Sequence, residues 1–210
     1  GILDKLLASC VPKKNQKLIG DLIANERFHY IEPHHKTEFL DKIMKLGQAI
    51  RENHVVQIRY MRMKDKATVE RKLEPLAIMF SEYYFYLVGF IEGIDKTKEF
   101  ENADDPFPTI YRIDRIAHLK VTNERFRIPY ADRFEEGEFR KRVQFMYGGR
   151  LEKVKFKFFG ENVEAVLDRL PTAQILSEED GVYVIAAEVF GKGIDMWLRS
   201  QGELVEVISR

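Results

Sequence analysis

At Val55 the hydrophobic period of the chain changes, and no other feature constrains its fold as much. Before that point Phe39, Leu40, Ile43, Met44, Leu46, Ala49 and Ile50 recur with a spacing near that of a helical turn. Such spacing places them on one face and predicts a helix over 37–53, with Thr37 as its cap. Beyond it Val56, Ile58 and Tyr60 alternate with Gln57, Arg59 and Met61, the two-residue period of a half-buried strand. Further strands are predicted over 69–75, 83–91, 109–113 and 116–121, with another apolar run over 76–80. The densest β signal is Tyr83 to Ile91, YYFYLVGFI, aromatic and branched throughout. One face of that strand must be core, and alternation alone leaves open whether it is the face of Phe85 and Leu87 or that of Tyr84, Tyr86 and Val88. Short strands in succession, with little helix between them, predict a small closed five-stranded barrel.

The flanks read differently. Residues 2–8 and 13–24 carry short helical patterns separated by Val11-Pro12, where proline disfavours helix. Residues 92–108 are acidic and rich in turn formers, which predicts a long loop. Residues 122–149 lose periodicity and read as a linker with some helix around 131–141. From Leu151 a second pattern begins. A strand over 151–158 alternates Val154, Phe156 and Phe158 with Lys153, Lys155 and Lys157. A helix over 161–170, strands over 173–176 and 182–190, a short helix bearing Ile194, Trp197 and Leu198, and a strand over 204–208 follow. The order β-α-β-β-α-β predicts a ferredoxin-like sheet. The fold class is thus α+β, with a helical segment over 1–53, a barrel over 54–127, a linker over 128–149 and a ferredoxin-like domain over 150–210.

Composition narrows the function classes. The chain has 210 residues, 45% hydrophobic and 32% charged, which excludes wholesale disorder. No apolar run approaches the roughly 20 residues needed to span a bilayer, so no membrane association is expected. No signal peptide is visible, and a lone cysteine excludes an internal disulfide, which points to the reducing cytoplasm. Cys10, beside an apolar helix, reads as a small core residue rather than a nucleophile. Pro33-His34-His35 imitates a metal site, but neighbouring strand residues face opposite ways, so no metal is expected. There is no phosphate loop, no HExxH and no paired CxxC, and no catalytic set or cofactor is expected.

Formal neutrality hides segregation. His54 to Lys72 holds six bases against two acids, and Tyr111 to Arg127 holds five against two. Glu92 to Asp105, between them, holds six acids and two lysines. Arginines interleaved with tyrosines suit an anion carrying flat rings, with guanidinium forks for phosphate and aromatic faces for bases. The candidate ligand residues are Arg59, Tyr60, Arg71, Tyr86, Arg112 and Arg115. The competing reading is a solvated strand face whose charges pair locally. Arg112 and Arg115 are an odd number of residues apart, so on one flat strand they face opposite ways, and one of them is expected to tie Asp114 or a neighbouring loop.

Several runs resemble the WYL-domain family of bacterial transcriptional regulators. Tyr84-Phe85-Tyr86-Leu87-Val88-Gly89-Phe90 is similar to the Trp-Tyr-Leu signature, with Phe85 in place of tryptophan. Ala49-Ile50 followed by Val55 to Tyr60 resembles the family's helix-to-strand entry. Arg71 to Leu76 resembles its basic strand ending in proline, and Tyr111 to Ile116 its Arg-aliphatic-Asp-Arg strand. Trp197 to Val207 is similar to the WCX extension that follows WYL. The resemblance implies an Sm-like, SH3-type barrel that senses a nucleic-acid-derived ligand, such as single-stranded DNA or a nucleotide. It further implies promoter DNA bound through an N-terminal winged helix-turn-helix, which residues 1–36 are too few to form, and a homodimer. Two other classes compete: an enzyme processing nucleic acid or nucleotides, and a protein-interaction module without nucleotide ligand.

Overall fold

The structure is a computed structural model and describes residues 7–24, 40–63, 65–93, 95, 108–128 and 134–210. The histidine pair after Pro33, most of the helical pattern over 2–8 and most of the acidic loop over 92–108 lie outside the described residues. The chain divides into two compact units, Gly1–Lys36 and Thr37–Arg210.

In the first unit, helix α1 (Lys13–Leu22) begins directly after Pro12, whose fixed φ of −53° suits a helix entry. None of its residues is buried. Cys10 is exposed as well, which corrects its expected place in a core. Neither belongs to any of the hydrophobic clusters formed by the described residues.

The second unit opens with α2 (Leu40–Glu52), whose Leu46 and Ala49 are buried. Asn53 ends the helix in the left-handed region, φ 55°, with its N–H on the Ile50 carbonyl at 3.2 Å. That single residue turns the chain from helix into strand. Strands β1 (His54–Met61), β2 (Thr68–Ser81), β3 (Tyr84–Glu92), β4 (Thr109–Arg112) and β5 (Ile116–Arg125) form one antiparallel sheet in the order β4-β3-β2-β1-β5. The expected closed barrel is therefore corrected to an open, curled sheet. Strands β4 and β5 are its two edges, joined by a 3-10 turn at Ile113–Arg115. Four-residue β4 pairs only with β3, and the turn takes the residues that would have extended it toward β5. Across the open side the Tyr60 ring of β1 and the Tyr111 ring of edge strand β4 still meet edge to face at 4.9 Å.

This sheet is covered on both faces. One core joins Leu46 and Ala49 of α2 to Val56, Ile58, Leu73, Leu87, Ile113 and Ile116. The other joins Ala77, Met79 and Val88 to Phe139, Val143 and Met146 beyond the sheet. Phe139 belongs to α3 (Glu136–Arg142). Leu73 and Met79 are an even number of residues apart and would share a face on a regular strand. They do not, because Leu76 is an extra residue: Pro75 pairs with Gly89, whereas Ala77 pairs with Val88. A one-residue bulge flips every later side chain to the other face. In β3 both faces are core, Phe85 and Leu87 on the first and Tyr86 and Val88 on the second.

The rest is β6 (Leu151–Phe158), α4 (Val163–Arg169), β7 (Gln174–Glu179), β8 (Val182–Phe190), α5 (Gly193–Ser200) and β9 (Val205–Ser209). The strands form an antiparallel sheet in the order β7-β8-β6-β9. Asn162 caps α4, its side chain accepting from the Ala165 N–H at 3.2 Å. Val154, Phe156 and Phe158 pack beneath the helices with Ile185, Val166, Ile194 and Trp197. The Trp197 and Phe156 rings stand 5.9 Å apart, so the tryptophan fills this core. Among the described residues no helix is long and apolar enough to cross a membrane.

Candidate functional site

The second cover of the five-stranded sheet continues past α3 as a strap, residues 143–149, with a tight turn at Phe145-Met146. Val143 bridges to Phe190 of β8, and Gln144 bridges to Tyr147. The strap runs hard against the turn between β8 and α5. A Cβ at Gly191 would collide with the Gly148 carbonyl, and one at Gly193 with that of Gln144. Only glycine permits that approach. Phe145 and Met146, in contrast, are non-glycine residues in the left-handed region, φ 51° and 55°. Such conformations cost roughly 1–3 kcal/mol each, and surrounding packing must hold them.

Between strap and sheet lies a cleft of about 700 Å³. Its sheet side presents Tyr60, Tyr86, Arg112 and Arg115, its rim Phe90, Ile91 and Pro108 to Ile110, and its far wall Phe145 to Gly149. The volume is in the range of small-molecule sites, with aromatic walls and few polar groups.

Arg112 is committed on two sides. Its Nε donates to Asp114 Oδ1 at 3.1 Å and its Nη2 to Asp114 Oδ2 at 2.6 Å. Its guanidinium carbon lies 3.4 Å from the centre of the Tyr84 ring. The pair is mostly buried, with side-chain exposures of 14% and 12%. Arg115 is half-buried and, among the described residues, has no carboxylate partner. It is the cation whose charge the cleft leaves available. Beside it, burial pushes the Tyr86 hydroxyl pKa up, against the opposing pull of Arg112. Tyr86 is therefore a neutral donor and ring face at physiological pH.

The cleft thus gathers Tyr60, Tyr86, Arg112 and Arg115 but not Arg59 or Arg71. Arg59 is exposed on the opposite face of β1, between Glu70 and His118. Arg71 hydrogen-bonds the hydroxyl of Tyr111, whose pKa burial drives far above that of free tyrosine. The parity argument for Arg112 and Arg115 fails because the strand is broken. The 3-10 turn begins between them, and residues three apart in such a turn eclipse, so both reach one cleft. Tying Asp114 does fall to one of them, Arg112. The strap wall was missed, since residues 122–149 read as a linker. Its one signal is an aromatic-rich run ending in paired glycines, Phe145-Met146-Tyr147-Gly148-Gly149.

Comparison with known families matches residues 41–121 to the model of the WYL domain. The match runs from α2 through β4 and into β5. Among solved structures, the chain is similar to the proteasome accessory factor B/C (PafBC) of Arthrobacter aurescens. That likeness has 16% identity and a TM-score of 0.39, over 91% of this chain and 28% of that one. It is also similar to a CRISPR Cas-related protein, at 19% identity and a TM-score of 0.48, over 82% of this chain and 48% of that one. The chain spans less than half of either structure, and neither likeness is close enough to bear on function. No curated protein matches it.

Proposed function

Because residues 41–121 form a WYL domain, we propose that this chain is the effector-sensing part of a bacterial, cytoplasmic, DNA-binding transcriptional regulator. Its effector is a nucleic-acid-derived ligand, single-stranded nucleic acid or a nucleotide, held in the cleft under the strap. The observation that carries this reading is the available guanidinium of Arg115 among Tyr60, Tyr86 and Phe90. A phosphate meets Arg115 and a base or sugar meets the rings, the pairing of fork and face that single strands require. Arg112, held by Asp114 and Tyr84, shapes the cleft and adds positive potential. The β-α-β-β-α-β half, read as a ferredoxin-like WCX extension, supports the strap and pairs with a second copy. Promoter DNA is read elsewhere in the regulator. The reading includes no turnover.

Titrating labelled oligonucleotides and nucleotides at two salt concentrations tests it. Affinity falls as salt rises, because phosphate contacts release counterions. Arg115→Ala lowers affinity by about 1.5–3 kcal/mol, roughly ten- to a hundredfold. Absence of binding to every probe at low salt would sink the proposal, and product release on incubation, with or without divalent metal, would replace it with an enzyme.

A further inference from the structure

The strap has a second side. There the β2–β3 hairpin, α3 and the end of α4 enclose a separate hollow of about 320 Å³. Phe145 and Met146 line both spaces, so the strap is the wall between them. Its polar lining is Ser81, Glu82, Arg140, Gln144 and Arg169.

Three side chains of this lining are donors. Gln144, only 4% exposed, carries an amide at the wall of the hollow. Arg140 is fixed by a neutral group: its Nη1 donates to the Phe80 carbonyl at 3.0 Å. Arg169 is likewise held without an acid, its guanidinium carbon 5.2 Å from the centre of the Phe145 ring. Among the described residues neither arginine has a carboxylate partner. Two arginines against Glu82 leave the lining net positive. Two guanidinium forks and an amide are a donor set for one planar or tetrahedral oxyanion.

We propose that this hollow is a second binding site, distinct from the cleft of Arg115, and that it takes a small oxyanion. Arg140 and Arg169 hold the charged oxygens, and the Gln144 amide completes their hydrogen bonds. The shared chemistry is that of a phosphate or a carboxylate group, and a volume of about 320 Å³ limits the bearer to a small metabolite.

The test uses the full chain labelled with nitrogen-15, followed by NMR. Inorganic phosphate and malonate are titrated separately, each against sodium chloride of equal ionic strength. The expected result is a saturable shift of the Arg140 and Arg169 Nε–H signals and of the Gln144 amide, with at least one oxyanion and not with chloride. Whichever oxyanion saturates assigns the class. The variant R140Q/R169Q, altered only at exposed side chains, should weaken that binding at least tenfold while keeping oligonucleotide binding. Arg115→Ala should keep the oxyanion site, so this proposal and that for the first cleft fail separately. Shifts that match the chloride control, or that survive in R140Q/R169Q, would overturn it and leave the hollow to water.

Discussion

The two sheets of the second unit are buried in different ways. The five-stranded sheet is covered twice by its own chain, by α2 on one face and by α3 with the strap on the other. The four-stranded sheet is covered once, by α4 and α5, and its other face carries Lys153, Lys155 and Lys157. A cleft needs two surfaces with a gap between them. The doubly covered sheet supplies both, because the strap bridges from α3 to the second sheet and leaves Arg115 and Tyr86 at the floor of a trough. The singly covered sheet has a face of mixed charge, where Lys157 pairs with Glu206 at 3.2 Å and Glu188, opposite Lys153, meets Arg142 of α3 at 3.3 Å. The difference locates the candidate ligand site without reference to any motif.

The largest test of that contrast is Phe139→Ala. Phe139 is 2% exposed and anchors the second cover, its ring 5.8 Å from that of Phe190. Truncation should cost about 3–5 kcal/mol in denaturant melts, as for a core phenylalanine. A cost under about 1 kcal/mol would mean that the second cover is incidental. Next comes Arg112→Ala, which removes two charge-assisted hydrogen bonds to Asp114. A stability loss of about 1.5–3 kcal/mol is expected, whereas Arg115→Ala should stay within about 0.5 kcal/mol. Equal losses for both would erase the distinction drawn between them.

A smaller effect should appear in alkali. Burial raises the pKa of Tyr111 and Tyr86 in the folded protein, while in the unfolded chain tyrosine titrates near 10. Their contribution is complete below pH 10 and is lost as pH rises above it, because the unfolded state sheds protons first. Melts between pH 9 and 11 should therefore decline, and Tyr111→Phe should flatten the decline. The smallest effect is reserved for the solvated face: Lys153→Ala should change stability by less than about 0.5 kcal/mol, read in the same melts. A larger loss would show that this face is covered.

Elements with a clear period were legible in the sequence. The helix before Val55, the aromatic strand and the β-α-β-β-α-β order all follow from alternation and turn chemistry, and the structure places them within a few residues of their expected bounds. The cleft was legible in part, since Tyr60, Tyr86, Arg112 and Arg115 came from the charge pattern and the family resemblance together. What stayed hidden depends on single-residue events. The extra Leu76 reverses a face without altering hydrophobicity. The break between 109–113 and 116–121 was legible, but not that the turn at Ile113–Arg115 brings Arg112 and Arg115 to one cleft. The strap has no period because tertiary contacts with Gly191 and Gly193 hold it, and such contacts leave no local trace. Openness of the sheet was illegible for a similar reason: closure depends on how far β4 extends, not on how many strands there are.

Trp197 has a consequence for how unfolding is observed. It is the chain's one tryptophan, and it is buried among Phe156, Ile185 and Val166 of the four-stranded half. Indole emission therefore tracks that half alone, while Tyr60, Tyr84, Tyr86 and Tyr111 weight phenol absorbance toward the five-stranded half, against Tyr183 in β8. Because the stacked rings of Phe139 and Phe190 and the glycine-lined passage of the strap splice the two halves, the two signals should change in a single cooperative step.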